Sequence, residues 1–316
     1  MKGMALKKAT RDAYGEALVE LGKTNPKIVV LDADLSQSTK TVGFAREFPD
    51  RFIQVGIAEQ DLIGTAAGLA LAGKIPFAST FAVFAAGRAY DQIRNTVAYA
   101  GLNVKIAATH AGVTVGEDGG SHQMLEDVAL MRAIPGMTVI VPADGIEAAA
   151  AVKAVAEYTG PVYLRMGRGA WPLIFDEAYE FRMGKATLIE DGDAATIIAC
   201  GIMVSQALEA AKLLKSHGIQ VRVLDMATVK PIDTEAIVKA AQETGAIVTA
   251  EEHNILGGLG GAVAEVLVET HPVPMERVGV KDVFGRSGRP DELLKHYGLT
   301  PEAIVTAIQK VIARKA

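Results

Sequence analysis

One cysteine, Cys200, and one tryptophan are found among 316 residues, and aromatic side chains occupy only 5% of positions. A lone thiol excludes an internal disulfide, and no Cys/His cluster has zinc-ligand spacing, which points to a reducing compartment. No apolar stretch approaches the roughly 20 residues that a membrane-spanning helix needs. Met1–Thr10 carries lysines but no apolar run of signal-peptide length behind them, so the expectation is a cytoplasmic protein with no membrane partner. An excess of one charge is also lacking. The 37 acidic and 32 basic residues are interspersed, give a net charge of -5, and include no Lys/Arg-rich block that nucleic acid would recognise. No internal repeat of 20 to 50 residues appears, and no low-complexity tract beyond the alanines at 148–151.

What is present is an ordinary α/β composition: half the residues apolar, 22% charged, and 32 glycines without a period. The length favours two domains, each able to bury its own core. Short β-branched runs at Ile28–Leu31, Phe52–Val55, Ile75–Ser79, Val104–Ala108, Thr138–Val141 and Val162–Met166 read as strands buried on both faces. Between them lie helical patterns at Thr10–Gly22, Gln60–Ala72, Gly87–Tyr99 and Ile146–Tyr158. Trp171–Lys185, with Pro172, Gly184 and several charges, breaks the rhythm as a linker would. A second series follows, with strands at Thr196–Cys200, Val221–Asp225, Ala246–Ala250 and Met275–Val280. Its helices fall at Val204–Ser216, Asp233–Thr244, Gly260–Glu269 and Pro301–Arg314. The expected fold is α/β with two doubly wound domains: a larger one over 1–175 with a mostly parallel sheet, and a smaller one over 186–316.

In such sheets ligands bind beyond the carboxyl ends of the strands, so the residues there are the informative ones. They are Asp34 and Ser38 after the first run, Glu59 after the second, and Phe81 after the third. After the fourth come Thr109–His110 and a glycine-rich stretch with Asp118 and His122. Each has a plain structural alternative: Asp34 as a helix cap, Glu59 as a carboxylate on a helix dipole, Phe81 and Phe84 as core. Two histidines within thirteen residues in a glycine-rich loop are harder to explain by packing.

Taken together, FIQVGIAEQDLIGTAAGL (Phe52–Leu69), STFAVF, RAYDQIR and HAGVTVGEDGGSHQMLED resemble the pyrimidine-binding domain of transketolases. ACGIMVSQALEAAKLL, VRVLDMATVKPID and EEHNILGGLGGAV are similar to that family's C-terminal domain. The resemblance covers essentially the whole chain. It implies thiamine diphosphate as cofactor and two-carbon ketol transfer between sugar phosphates, as in the pentose phosphate pathway. By resemblance Glu59 is the acid that bonds the pyrimidine nitrogen, Phe81 and Phe84 pack on that ring, and Asp34 lies near the cofactor. Asp118 and His122 match contacts to donor hydroxyls, and Arg11, Ser38, His110 and Arg168 match contacts to the sugar phosphate.

The Gly-Asp-Gly…Asn motif that holds Mg²⁺ and the diphosphate in whole transketolases has no counterpart here. The nearest string, Asp191-Gly192-Asp193, reads as a surface loop. The expectation is an N-terminal partner subunit that supplies Mg²⁺ and shares the cofactor, with two copies of each chain. The rivals are deoxyxylulose phosphate synthase, the beta subunit of a 2-oxo acid dehydrogenase, and a non-catalytic regulatory subunit; an intact Glu59 speaks against the last. Gly257–Gly261 makes a poor dinucleotide fingerprint and reads as a tight turn. Glu251, Glu252 and His253 either form a small polar site or line the domain interface, and Cys200 reads as a buried hydrophobe.

Overall fold

The computed structural model describes residues 6–315. Residues 1–5 and 316, the outermost ends of the two expected domains, lie outside the described residues. Fourteen strands are found among those described: β1 (Lys7–Ala9), β2 (Ile28–Asp32), β3 (Phe52–Gln54), β4 (Ile75–Phe81), β5 (Lys105–Thr109), β6 (Thr138–Ile140) and β7 (Val162–Arg165), then β8 (Ala170–Pro172), β9 (Thr187–Glu190), β10 (Thr196–Ala199), β11 (Arg222–Asp225), β12 (Thr228–Lys230), β13 (Ile247–Asn254) and β14 (Met275–Val280).

The first sheet has the order β12-β6-β7-β5-β4-β2-β3 and is parallel throughout except for β12. Its two faces follow from side-chain alternation along each strand. Ile28 and Val30 of β2 pack with Tyr14 and Leu18 of the helix Thr10–Thr24 and with Val152 and Val155 of the helix Gly145–Glu157. Val29 and Leu31 turn the other way, onto Leu62, Ile63 and Ala66 of the helix Glu59–Leu71. Burying each such aliphatic side chain contributes roughly 1.5–3 kcal/mol, which adds to the strand preference of the β-branched residues and holds these short strands in place. The strand Phe52–Gln54 is only half-buried, contrary to the expectation of burial on both faces, because β3 is the edge of the sheet.

The second sheet, β14-β13-β10-β11-β9, is parallel except for β9 and has its own core around Ile197, Val223 and Val248. The chain crosses into it near the expected linker, and then β12 returns to pair antiparallel with β6 in the first sheet. A shared core follows: Cys200, Leu224, Met226 and Val229 pack in one cluster with Met137, Val139 and Val141. The two units are therefore joined by buried apolar surface as well as by the linker. Asp191-Gly192-Asp193 lies in the turn from β9 to β10, where exposed Asp191 pairs with Arg222.

The chain runs from β2 outward to β3 and then back across to β4, so the order of the sheet reverses between β2 and β4. The crevice at that reversal, beyond the strands' carboxyl ends, is where this class of sheet binds ligands.

Candidate functional site

Phe81 ends β4, only 6% exposed, and its ring lies over that of His110, with centroids 3.7 Å apart. Phe84 lies in the first turn of a wide π-type segment, Val83–Arg88, and stacks on Phe81 at 5.7 Å with the planes 12° apart. A second π-type turn, Gln92–Ala98, stands where the sequence predicted a regular helix; such turns widen the coil and re-aim its side chains. The rings of His122 and Phe84 meet in a T-shaped arrangement with centroids 5.5 Å apart. Glu59 stands at the first position of its helix, where the macrodipole favours a carboxylate, and is 5% exposed. Its Oε1 accepts from Nη1 of Arg88 at 3.0 Å, and the Arg88 guanidinium in turn lies 4.0 Å over the Phe84 ring.

His110 is held on three sides. Its backbone is left-handed, φ 55°, which turns the ring off the end of β5. Arg11 can only donate, so Nη1 of Arg11 donates to Nε2 of His110, 3.1 Å away. Nδ1 then carries the ring proton toward Thr109 Oγ1 at 2.9 Å. Burial, followed by the charges of Arg11, Arg168, His122 and Lys40, pushes the imidazole down to about 3, so His110 is neutral at physiological pH. Burial and the neighbouring Arg168 also lower Arg11, against the pull of Asp12, and its buried Nε has no partner among the described residues. Arg168 donates from Nη1 to Val115 O at 2.5 Å and lies 3.7 Å from Asp118 and 3.6 Å from Glu117. A cationic rim with a spare buried donor therefore faces two carboxylates, an arrangement that suits an anionic, hydroxylated ligand.

Not every expected residue joins in through its side chain. Ser38 contributes its backbone oxygen, which accepts from Arg11 at 2.9 Å. Asp34 is exposed, in left-handed backbone at φ 63°, with its N–H donated to Gln54 Oε1. It does not cap the next helix. The carboxylate that anchors that turn is buried Asp32, which accepts from Leu35 N, Thr39 and Thr41. Arg88 and Lys40 had no assigned role from sequence; Arg88 was in view within RAYDQIR, whereas nothing local marks Lys40.

The glycine-rich turn Gly257–Gly261 holds a carboxylate of the chain itself. Leu259 N and Gly260 N donate to Glu251 at 2.7 and 2.8 Å, and a Cβ on Gly258 would run into that carboxylate. Glu251, Glu252 and His253 are all buried; Glu252 and His253 meet Thr114 and Ala129 of the first domain and so line the interface, whereas Glu251 holds the turn of its own domain, and Cys200 is buried as well.

Two family models match the chain: the transketolase pyrimidine-binding domain over residues 7–172 and the transketolase C-terminal domain over 184–304. A Methanocaldococcus jannaschii protein, provisionally named as a transketolase C-terminal section, is 53% identical over 98% of both chains. A subunit of 6-deoxy-6-sulfo-D-fructose transketolase from Clostridium sp. strain MSTE9 is 47% identical over 96% of this chain and 95% of that one. Among solved structures, one described as a split gene transketolase, inactive beta4 tetramer, superposes with a TM-score of 0.91. It is 57% identical and covers 98% of this chain and 99% of that chain. The chain belongs to the transketolase family, of which it carries the pyrimidine-binding and C-terminal domains.

Proposed function

We propose that this chain is the C-terminal subunit of a thiamine diphosphate-dependent transketolase that moves a two-carbon ketol unit from a ketose phosphate to an aldose phosphate in the cytoplasm. Among the described residues no helix is long and apolar enough to cross a membrane. A separate N-terminal subunit would hold Mg²⁺ and the cofactor's diphosphate, with two copies of each chain assembled together. The observation that carries this reading is Glu59, a nearly buried carboxyl whose partner is a half-exposed arginine, beside the stacked Phe81–Phe84 pair.

That set suits an aminopyrimidine: a carboxyl for its ring nitrogen and aromatic faces for its plane. When bound, thiamine diphosphate supplies the nucleophilic carbon of ketol transfer. Glu59, itself nearly buried, would hold a proton at the pyrimidine nitrogen. Asp34 is assigned near the cofactor on position alone. Arg11 and Arg168 would bind the substrate phosphate, with Ser38 orienting Arg11 and neutral His110 adding a directional contact. His122 and Asp118 would orient the donor's hydroxyls. The Clostridium relative is named for a sulfonated sugar, and a sulfonate presents a similar anion to such a rim.

The dehydrogenase and synthase alternatives find no support among the relatives named above. The test is complementation. The purified chain, given thiamine diphosphate and Mg²⁺, should show no ketol transfer, in keeping with the similar split gene transketolase, whose beta4 tetramer is inactive. Adding an N-terminal transketolase subunit should restore it. Transfer by the isolated chain would refute the shared site.

A further inference from the structure

We propose that Glu252, reaching over from the C-terminal domain, is a positioning residue for the loop 112–123 that presents Asp118 and His122. The proposal rests on the transketolase reading for its kinetic consequence but not for its geometry. Glu252 sits in β13, 138 residues away in sequence from Thr114, the loop residue that it holds. Its Oε1 accepts from Thr114 N at 2.7 Å in a fully buried setting. Gly112 has φ 81°, and a Cβ there would collide with the Glu252 carboxyl group, so the turn is built closely around that group.

From Thr114 the connection runs onward to the site. The next carbonyl, Val115 O, accepts from Arg168, which lies beside Asp118. At the other end of the loop Gln123 Nε2 shares its two hydrogens among Val113 O, Gly116 O and Arg286 O of the C-terminal domain, all within hydrogen-bond distance. Gly112 N–H also closes the neck of the loop on Met124 O at 3.0 Å. The loop is thus gripped at both ends by the other domain, and Glu252 is the ionisable member of that grip.

Glu252 is surrounded by named charges. Arg165 of β7 donates to its backbone oxygen at 3.0 Å and pairs with Asp127 of the helix Asp127–Ala133; Glu251 and His253 flank it along β13. Burial pushes the Glu252 carboxyl up to about 7, opposed by Arg165 and by the Thr114 bonds, with Asp127 adding to the rise. A carboxylate accepts more strongly than the acid, so the grip on Thr114 N tightens as pH rises through neutrality.

The test uses the full chain for amide hydrogen exchange and the chain assembled with an N-terminal transketolase subunit for kinetics. Glu252→Ala should accelerate exchange at Thr114 by about tenfold or more, the loss of one charge-assisted bond, while β5 and β7 stay protected. In the complex it should raise KM for a ketose phosphate by about tenfold and change kcat by less than about threefold. Glu252→Gln, which keeps a neutral acceptor oxygen and the volume, should recover most of both. Unchanged Thr114 exchange, or a fall in kcat at constant KM, would overturn the proposal.

If the alanine variant does not fold, Glu252→Gln decides. Wild-type protection at Thr114, corrected for intrinsic exchange, should increase across neutral pH and that of Glu252→Gln should not; the same pH dependence in both overturns the assignment. Failure of the transketolase reading would appear separately, as no ketol transfer in any assembled protein, and leaves the exchange result standing.

Discussion

At the residue scale the site depends on groups whose surroundings, more than their identity, set what they can do. Glu59 is the clearest case, because a carboxylate at a helix start can serve the dipole, a cofactor, or both. Glu59→Gln keeps the volume and a hydrogen-bonding atom but cannot hold or release a proton. In the assembled complex, hydrogen–deuterium exchange at the thiazolium carbon should fall by about 10²–10⁴, the usual worth of one positioned acid. The thermal midpoint should barely move, since a lost dipole contact costs about 0.3–1 kcal/mol. Near-normal exchange with a lowered midpoint would reduce Glu59 to a cap. His110 illustrates the same point from the other side: burial, and then the neighbouring Arg11 and Arg168, keep it neutral, which composition and spacing do not reveal.

At the element scale, most parallel strands and the long helices of the second domain were legible to within about two residues, because apolar runs and amphipathic periods report which faces must be buried; β13 instead runs on through Glu251–His253, beyond the expected end at Ala250. The short antiparallel edges β1, β8, β9 and β12 were not. Three or four residues cannot establish a period, and each is fixed by the strand it pairs with. The π-type turns after Phe84 were equally invisible, because an i→i+5 turn uses the same residues as a helix. Helix starts show how unequal similar-looking caps are. Thr300 caps Pro301–Ile312 with one bond to Ala303 N, near solvent. Asp144 is fully buried: it takes Glu147 N at the start of its own helix and both Ile174 N and Phe175 N of the linker. Thr300→Ala should cost about 0.5–2 kcal/mol. Asp144→Ala should cost clearly more, because each buried donor left without a partner adds about 1–3 kcal/mol. Urea unfolding of the two variants checks the order, and equal losses would mean that the linker bonds contribute nothing.

At the scale of the whole molecule the two sheets meet through a buried carboxyl pair. Asp225 ends β11 and Glu147 belongs to the helix Gly145–Glu157. Glu147 accepts from Ala143 N at 2.7 Å and from the linker's Tyr179 hydroxyl at 2.5 Å, which fits the ionised form. As a carboxylate Asp225 finds no donor among the described residues; protonated, it can donate to Glu147. Burial, then the Glu147 charge, holds Asp225 well above the ordinary carboxylate range. The folded state then binds a proton that the unfolded chain gives up near pH 4. The contribution of Asp225 to stability is whole below that value and declines as pH rises toward its folded pKa. Asp225→Asn removes the titration and keeps a donor. Comparing unfolding free energies from pH 5 to 9, the wild type should lose stability relative to the variant as pH rises. Parallel curves would show that Asp225 is ionised in the fold.

The sequence by itself determined the α/β class, the two strand–helix series, the linker and the family, since these depend on local periods and on motifs that stay contiguous along the chain. It also brought Glu59, Phe81, Phe84, His110 and His122 into view through their places at strand ends. Only the tertiary structure decided that Asp32, not Asp34, anchors the first turn, that Ser38 acts through its carbonyl, and that Arg88 covers Glu59 and Phe84. It also decided that β12 returns to the first sheet and that Glu252 meets the loop at Thr114. The reason is physical. Apart from the local partners of Asp32, these contacts join separate elements, so they depend on the shape of packed surfaces, and no local stretch of chain contains that shape.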